Sequence, residues 1–231
     1  MVALCDGEAQ TLWAGKGFQT FHYLSTLGFS YPDLPHVAAE LAAAIRKADI
    51  VCVPRSGPAA QLPGYGPKLR AAMELWDAIP KPEALIGDSL ATFYLMFDCW
   101  LLGLLENRRV LIINNQADKV ATALMTKTVS PSIAILAPPP WIKVTDAIPV
   151  MLDGGQAGSA KALAEVAAIP PERKPDIDLV GAGARAAHLC VTTAEMLSIP
   201  VIELGDTLRL MHAPSVPGAW EKIKTWYEAE G

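Results

Sequence analysis

Asp6 and Glu8 stand one residue apart in Cys5-Asp6-Gly7-Glu8. At a strand-to-helix step this spacing presents two carboxylates to one hard cation, because oxygen ligands suit Mg²⁺ and Mn²⁺ better than imidazole or thiolate does. The same residues also describe an ordinary helix start, with Asp6 as N-cap and Glu8 in the first turn. A second motif is Gly181-Ala182-Gly183-Ala184-Arg185-Ala186, a GxGxxA after the apolar run 177–180. Glycines in that pattern let backbone approach a pyrophosphate, whose charge is favoured by the N–H groups of a helix start. Glu203 or Asp206 then falls about twenty residues on, where an acid would meet a ribose hydroxyl. A tight strand-to-helix turn reads the same way.

Further polar groups fall at expected strand ends, in Pro54-Arg55-Ser56, Gly87-Asp88-Ser89 and Asn114-Asn115-Gln116. Open parallel sheets bind ligands along that edge, which makes Arg55, Ser89, Asn114, Asn115, Gln116, Gly181 and Gly183 candidate ligand contacts. Asp88 and Ser89 serve equally as helix caps, and Asn114 and Asn115 as turn formers. Asp88, Asp206 and His212 are the candidates for proton transfer. His188 lies within a helical stretch, packed or half-exposed, and His22 and His36 carry no supporting pattern.

The elements that must position these groups alternate between short strands and longer helices. Nearly continuous apolar runs predict strands at 2–5, 50–53, 110–114, 133–136, 177–180 and 201–204, with Leu85-Ile86 a weaker one. Runs of this kind mark strands covered on both faces, hence a parallel sheet. Val37, Leu41, Ala44, Ile45 and Ala48 repeat at helical spacing, as do Leu90, Tyr94, Phe97, Leu101 and Leu105. The stretch 141–161, with Gly154-Gly155, lacks a clear period and reads as a mobile loop. The expected architecture is therefore one α/β domain over 1–231, Rossmann-like, with a mostly parallel sheet and helices on both faces. Residues 141–175 form an irregular insertion in it, and 214–231 a C-terminal helix.

Composition agrees with a globular chain: 231 residues, 52% hydrophobic and 19% charged, can bury a sizeable core. A net charge of −5 without a basic block argues against a nucleic-acid binder. Cys5, Cys52, Cys99 and Cys190 form no CxxC and have no histidine cluster, which suggests buried thiols in a reducing cytoplasm. Asp6 and Glu8 interrupt the opening before any apolar core, so no signal peptide is expected. Residues 93–105 are too short for a bilayer span of about 20 residues. Apolar helices such as 90–105 serve equally as core or as the face of a homo-oligomer.

The order of segments is as informative as the motifs. Val2-Ala3-Leu4-Cys5-Asp6-Gly7-Glu8, Lys47-Ala48-Asp49-Ile50-Val51-Cys52-Val53-Pro54, Asp88-Ser89-Leu90, Arg108-Arg109-Val110-Leu111-Ile112-Ile113-Asn114-Asn115-Gln116 and Asp176-Ile177-Asp178-Leu179-Val180-Gly181-Ala182-Gly183 together resemble bacterial glycosyltransferases of the GT-D fold, almost end to end. The resemblance implies a Rossmann-like domain binding a nucleotide sugar, typically a UDP-sugar. It also implies Mn²⁺ or Mg²⁺ on Asp6 and Glu8, and the turn at Gly181 and Gly183 beside the ligand. The acceptor would be a protein, a glycan or a lipid-linked molecule. An inverting reaction would need a base among Asp88, Asp206 and His212, whereas a retaining one would not. Cys5 stands where family members usually carry glycine. Two other readings stay open: an NAD(P)-dependent oxidoreductase built on Gly181, Gly183 and Glu203, and a catalytically silent nucleotide-sugar-binding module.

Overall fold

A computed structural model describes residues 1–3, 30–53, 85–88, 100–126, 143–205, 208 and 211. Along the chain these form β1 (Val2–Ala3), α1 (Leu34–Lys47), β2 (Ile50–Val53), β3 (Leu85–Asp88), α2 (Trp100–Leu105), β4 (Arg109–Asn114), α3 (Ala117–Thr126), β5 (Asp146–Met151), α4 (Gly155–Ala167), β6 (Ile177–Gly181), α5 (Ala186–Leu197) and β7 (Val201–Glu203). Single 3-10 turns occur at Tyr31–Asp33, Pro171–Arg173 and Gly183–Arg185.

Among the described residues all strand pairs are parallel, in the orders β1-β2-β3 and β5-β4-β6-β7. The two groups meet at β1 and β7. The Met1 ammonium donates to the Val201 carbonyl at 2.8 Å, and the Glu203 N–H donates to the Met1 carbonyl at 3.1 Å. Bonds from one residue to both neighbours of its opposite number are the pattern of a parallel ladder. The strands thus follow one another as β3-β2-β1-β7-β6-β4-β5, with their carboxyl ends on one edge.

Strand side chains alternate between the two faces, and both faces are covered. Leu111 and Ile113 of β4, Val150 of β5 and Val180 of β6 pack with Leu41 and Ile45 of α1, Ala162 and Val166 of α4, and Leu189 of α5. Val110 and Ile112, with Ile177 and Leu179, pack instead with Leu101 and Leu105 of α2 and Val120 and Leu124 of α3. This is an α/β fold of the Rossmann-like kind, as expected. The apolar spacing that predicted α1 buries Val37, Leu41, Ala44 and Ile45, while Arg46 and Lys47 in its last turn complement the helix dipole.

The structure departs from expectation in 141–175, which carries β5 and the whole of α4 instead of an irregular insertion. Pro149 in mid-strand and two glycines in the first turns of the helix weaken both signals. Pro149 is tolerated because β5 is the last strand of its group and the residue is exposed there. β3 runs on to Asp88, beyond the Leu85-Ile86 pair that sequence suggested. The expected strand 133–136, residues 4–5, the helical run 90–99 and the C-terminal helix 214–231 lie outside the described residues.

Candidate functional site at the carboxyl edge

After β4 the chain enters α3 on one face of the sheet, and after β6 it enters α5 on the other. Adjacent strands whose continuations part in this way open a crevice at their carboxyl ends, the topological switch point where open α/β sheets bind ligands. Asn114 and Gly181 are the last residues of these two strands and are paired in register.

Asn114 locks the crevice floor. Its Nδ2 donates to the Gly181 carbonyl at 2.6 Å, and its Oδ1 accepts the Gln116 N–H at 2.9 Å. Its own carbonyl accepts the Leu152 N–H at 3.1 Å, tying in the segment after β5. Asn115 is exposed, and the Gln116 carbonyl accepts the N–H groups of Lys119 and Val120 as α3 begins. Gly181 is required by close approach, since a Cβ there would lie 2.7 Å from Asn114 Nδ2 and 2.8 Å from the Gly205 carbonyl oxygen. Gly183, with φ 54, supplies the left-handed step that starts the turn into α5.

Arg185, in that turn, is buried. Its Nη1 donates to the carbonyls of Asp153 and Gly155, each at 2.8 Å, and lies 3.5 Å from Ser159 Oγ. Burial lowers the guanidinium pKa from its ordinary value. On the solvent side, Asp153 meets Lys161 at 2.8 Å. That hydrogen bond, helped by the lysine charge, holds the Asp153 carboxyl below its usual range and raises Lys161. Beside the turn, Glu40 of α1 accepts from Gln156 Nε2 at 3.0 Å and lies within ion-pair distance of His36 Nε2 at 3.0 Å and His188 Nε2 at 3.8 Å.

Of the residues singled out from sequence, Asn114, Asn115, Gln116, Gly181 and Gly183 share this crevice. Asp88 ends β3 on the same edge but four strands from β6, about 19 Å away at ordinary strand spacing. Asp6, Glu8, Arg55, Ser89, Asp206 and His212 lie outside the described residues. Among the described residues no group of three or more His, Cys, Asp or Glu could hold a metal ion. Sequence reading missed Arg185, Asp153, Gly158 and Glu40. The signals for the first three were an arginine in an Ala-Gly run and the spacing Gly154-Gly155-x-x-Gly158, whereas Glu40 left none.

An open parallel sheet with helices on both faces and polar strand ends at its switch point defines a Rossmann-like α/β protein. Within that class, the profile of the GT-D fold-like domain matches residues 2–211, and the chain belongs to that family. Comparisons with curated proteins and with solved structures gave no match.

Proposed function

We propose that the chain is a metal-dependent glycosyltransferase using a nucleotide sugar, with a UDP-sugar favoured, and a protein, glycan or lipid-linked acceptor. The observation that carries this reading is the family match, whose span of 2–211 embraces both the Asp6–Glu8 pair and the glycine turn. Asp6 and Glu8 follow β1, whose neighbours are β2 and β7. Their carboxylate oxygens are the donor chemistry that Mn²⁺ or Mg²⁺ prefers. When bound, such an ion supplies charge neutralisation to a leaving diphosphate. The chain's own contribution is to hold the donor: the turn at Gly183 and the start of α5 favour anionic oxygens. Arg55, Ser89, Asn115 and Gln116 are the proposed polar contacts around it. In an inverting reaction Asp88, Asp206 or His212 would take the acceptor proton, and a retaining reaction needs no such base.

The nicotinamide reading is weaker, because a dinucleotide-binding site built on Gly181, Gly183 and Glu203 leaves the Asp6 and Glu8 carboxylates without a role. Among the described residues no helix is long and apolar enough to cross a membrane. The buried thiols of Cys52 and Cys190 suit a reducing cytoplasm, which we propose as the setting. The test is thermal stabilisation by UDP, GDP, UDP-sugars and NAD(P), each with and without Mn²⁺, on wild type and on the double variant Asp6→Ala, Glu8→Ala. Manganese-dependent stabilisation by UDP that vanishes in the variant is the expected result. An NAD response indifferent to both substitutions would sink the transferase. UDP binding without turnover of any UDP-sugar would favour a silent binding module.

A further inference from the structure

We infer that Arg185 is a positioning residue, whose buried guanidinium sets the conformation of residues 153–159 as one wall of the crevice beside Asn114 and the glycine turn. Its consequence for ligand binding rests on the nucleotide-sugar reading; the brace itself does not.

Burying a guanidinium is costly unless its donors are met, and a turn needing only to be tight would take alanine here, as at 182, 184, 186 and 187. Arg185 spends one nitrogen on two carbonyls of the same segment, those of Asp153 and Gly155 at 2.8 Å each. Peptide units are planar and trans, so a carbonyl turned toward Arg185 turns the next N–H away from it. The guanidinium therefore decides which way the amides of Gly154 and Gln156 face at the mouth of α4. Gly158 confines the Asp153 carbonyl as well, since a Cβ there would stand 2.2 Å from its oxygen. Upstream, the Leu152 N–H is tied to the Asn114 carbonyl at 3.1 Å. Downstream, Gly155 takes the left-handed φ of 71 that bends the chain into the helix. Between these anchors the Asp153–Lys161 pair is well exposed and contributes little. Among the described residues, Arg185 is the side chain that holds the backbone carbonyls in the middle of the segment, while Glu40 takes the Gln156 side chain.

The experiment is amide hydrogen exchange across 152–159, with a titration by UDP plus Mn²⁺, on wild type, Arg185→Met, Arg185→Lys, Arg185→Ala and Gly158→Ala. Loss of a charged hydrogen-bond hub should speed exchange in the segment by about tenfold or more in Arg185→Met, with the β4 amides unchanged. The UDP dissociation constant should rise by about tenfold, the scale of a misplaced binding group. Arg185→Lys should fall between, because an ammonium lacks the planar reach of guanidinium. Gly158→Ala, which displaces the same carbonyl directly, should reproduce the Met variant. Sub-denaturing guanidinium should restore Arg185→Ala, which a mere packing role would not permit. Unchanged exchange across 152–159 in Arg185→Met would overturn the proposal, as would a loosened segment with UDP affinity intact. If Arg185→Met does not fold, the Lys variant and Ser159→Ala carry the same measurements. Should wild type bind no nucleotide at all, the transferase reading fails while the exchange result still decides the brace.

Discussion

Asn114 concentrates three strand ends in one residue, two of the bonds through its side chain, and the worth of that side chain follows from what each would leave behind. Asn114→Ala strands the Gly181 carbonyl and the Gln116 N–H, both part-buried, and should cost about 1–3 kcal/mol in urea unfolding. A variant as stable as wild type would mean the lock carries nothing. Asp178 of β6 is the opposite case, a fully buried carboxyl that meets no side-chain hydrogen-bond donor among the described residues. Burial pushes its pKa well above the ordinary range, against a lowering from the Leu179 amide. In the unfolded chain it ionises near pH ~3.9. The native state therefore binds more protons as pH rises above that value, and stability falls until the native pKa is passed, beyond which the loss is complete. Asp178→Asn removes this slope. Its stability relative to wild type should grow steadily upward from about pH 4. A difference that stays flat across pH in chemical denaturation would refute the assignment.

Among the elements, α1 is held at the crevice side by Glu40, which takes Gln156 of α4 and His36 of its own helix and lies within ion-pair reach of His188 of α5. Glu40→Ala should loosen the first half of α1 and the start of α4 together in hydrogen exchange, at a stability cost of about 1 kcal/mol. Exchange confined to α1 alone would show that the three helices are not joined there. Glu40 was not legible in the sequence, because a half-buried acid on an amphipathic helix looks like any solvated one until its neighbours are placed. α1 itself was legible from Val37, Leu41, Ala44 and Ile45, and β2, β4 and β6 from their apolar runs, since burial on both sheet faces leaves no polar alternation. β5 was hidden by Pro149, which only an edge position excuses, and α4 by Gly155 and Gly158, which serve the turn before they serve the helix. The crevice was half visible: Asn114 and Gly181 stood out as strand ends, but their bond to each other depends on β4 and β6 being neighbours, which periodicity does not order.

At the scale of the whole molecule, the three-strand and four-strand groups share one core and not merely a boundary. Val2 and Val51 from the first group lie in the same buried cluster as Leu111, Val150 and Val180 from the second, with Leu41 and Ile45 of α1 among them. Lys47 of α1 also reaches Glu195 of α5 at 2.8 Å, although that exposed pair adds little. Because the helix covering β1 and β2 also packs on α5, neither group can lose its apolar cover without exposing the other. Ile45→Ala, at a fully buried site, should cost about 2–5 kcal/mol. If the core is shared, that loss must appear alike in both groups: amides of β2 and of β6 should gain exchange by the same factor, and thermal unfolding should remain one transition. Two separated transitions, or exchange raised in β2 with β6 untouched, would break the chain into two stability units. The carboxyl ends of β1 and β6 would then be free to move apart. In a single cooperative sheet they instead keep a fixed separation of about 10 Å, two strand spacings. That fixed span is what a site drawing on residues that follow β1 and on the Gly183 turn requires.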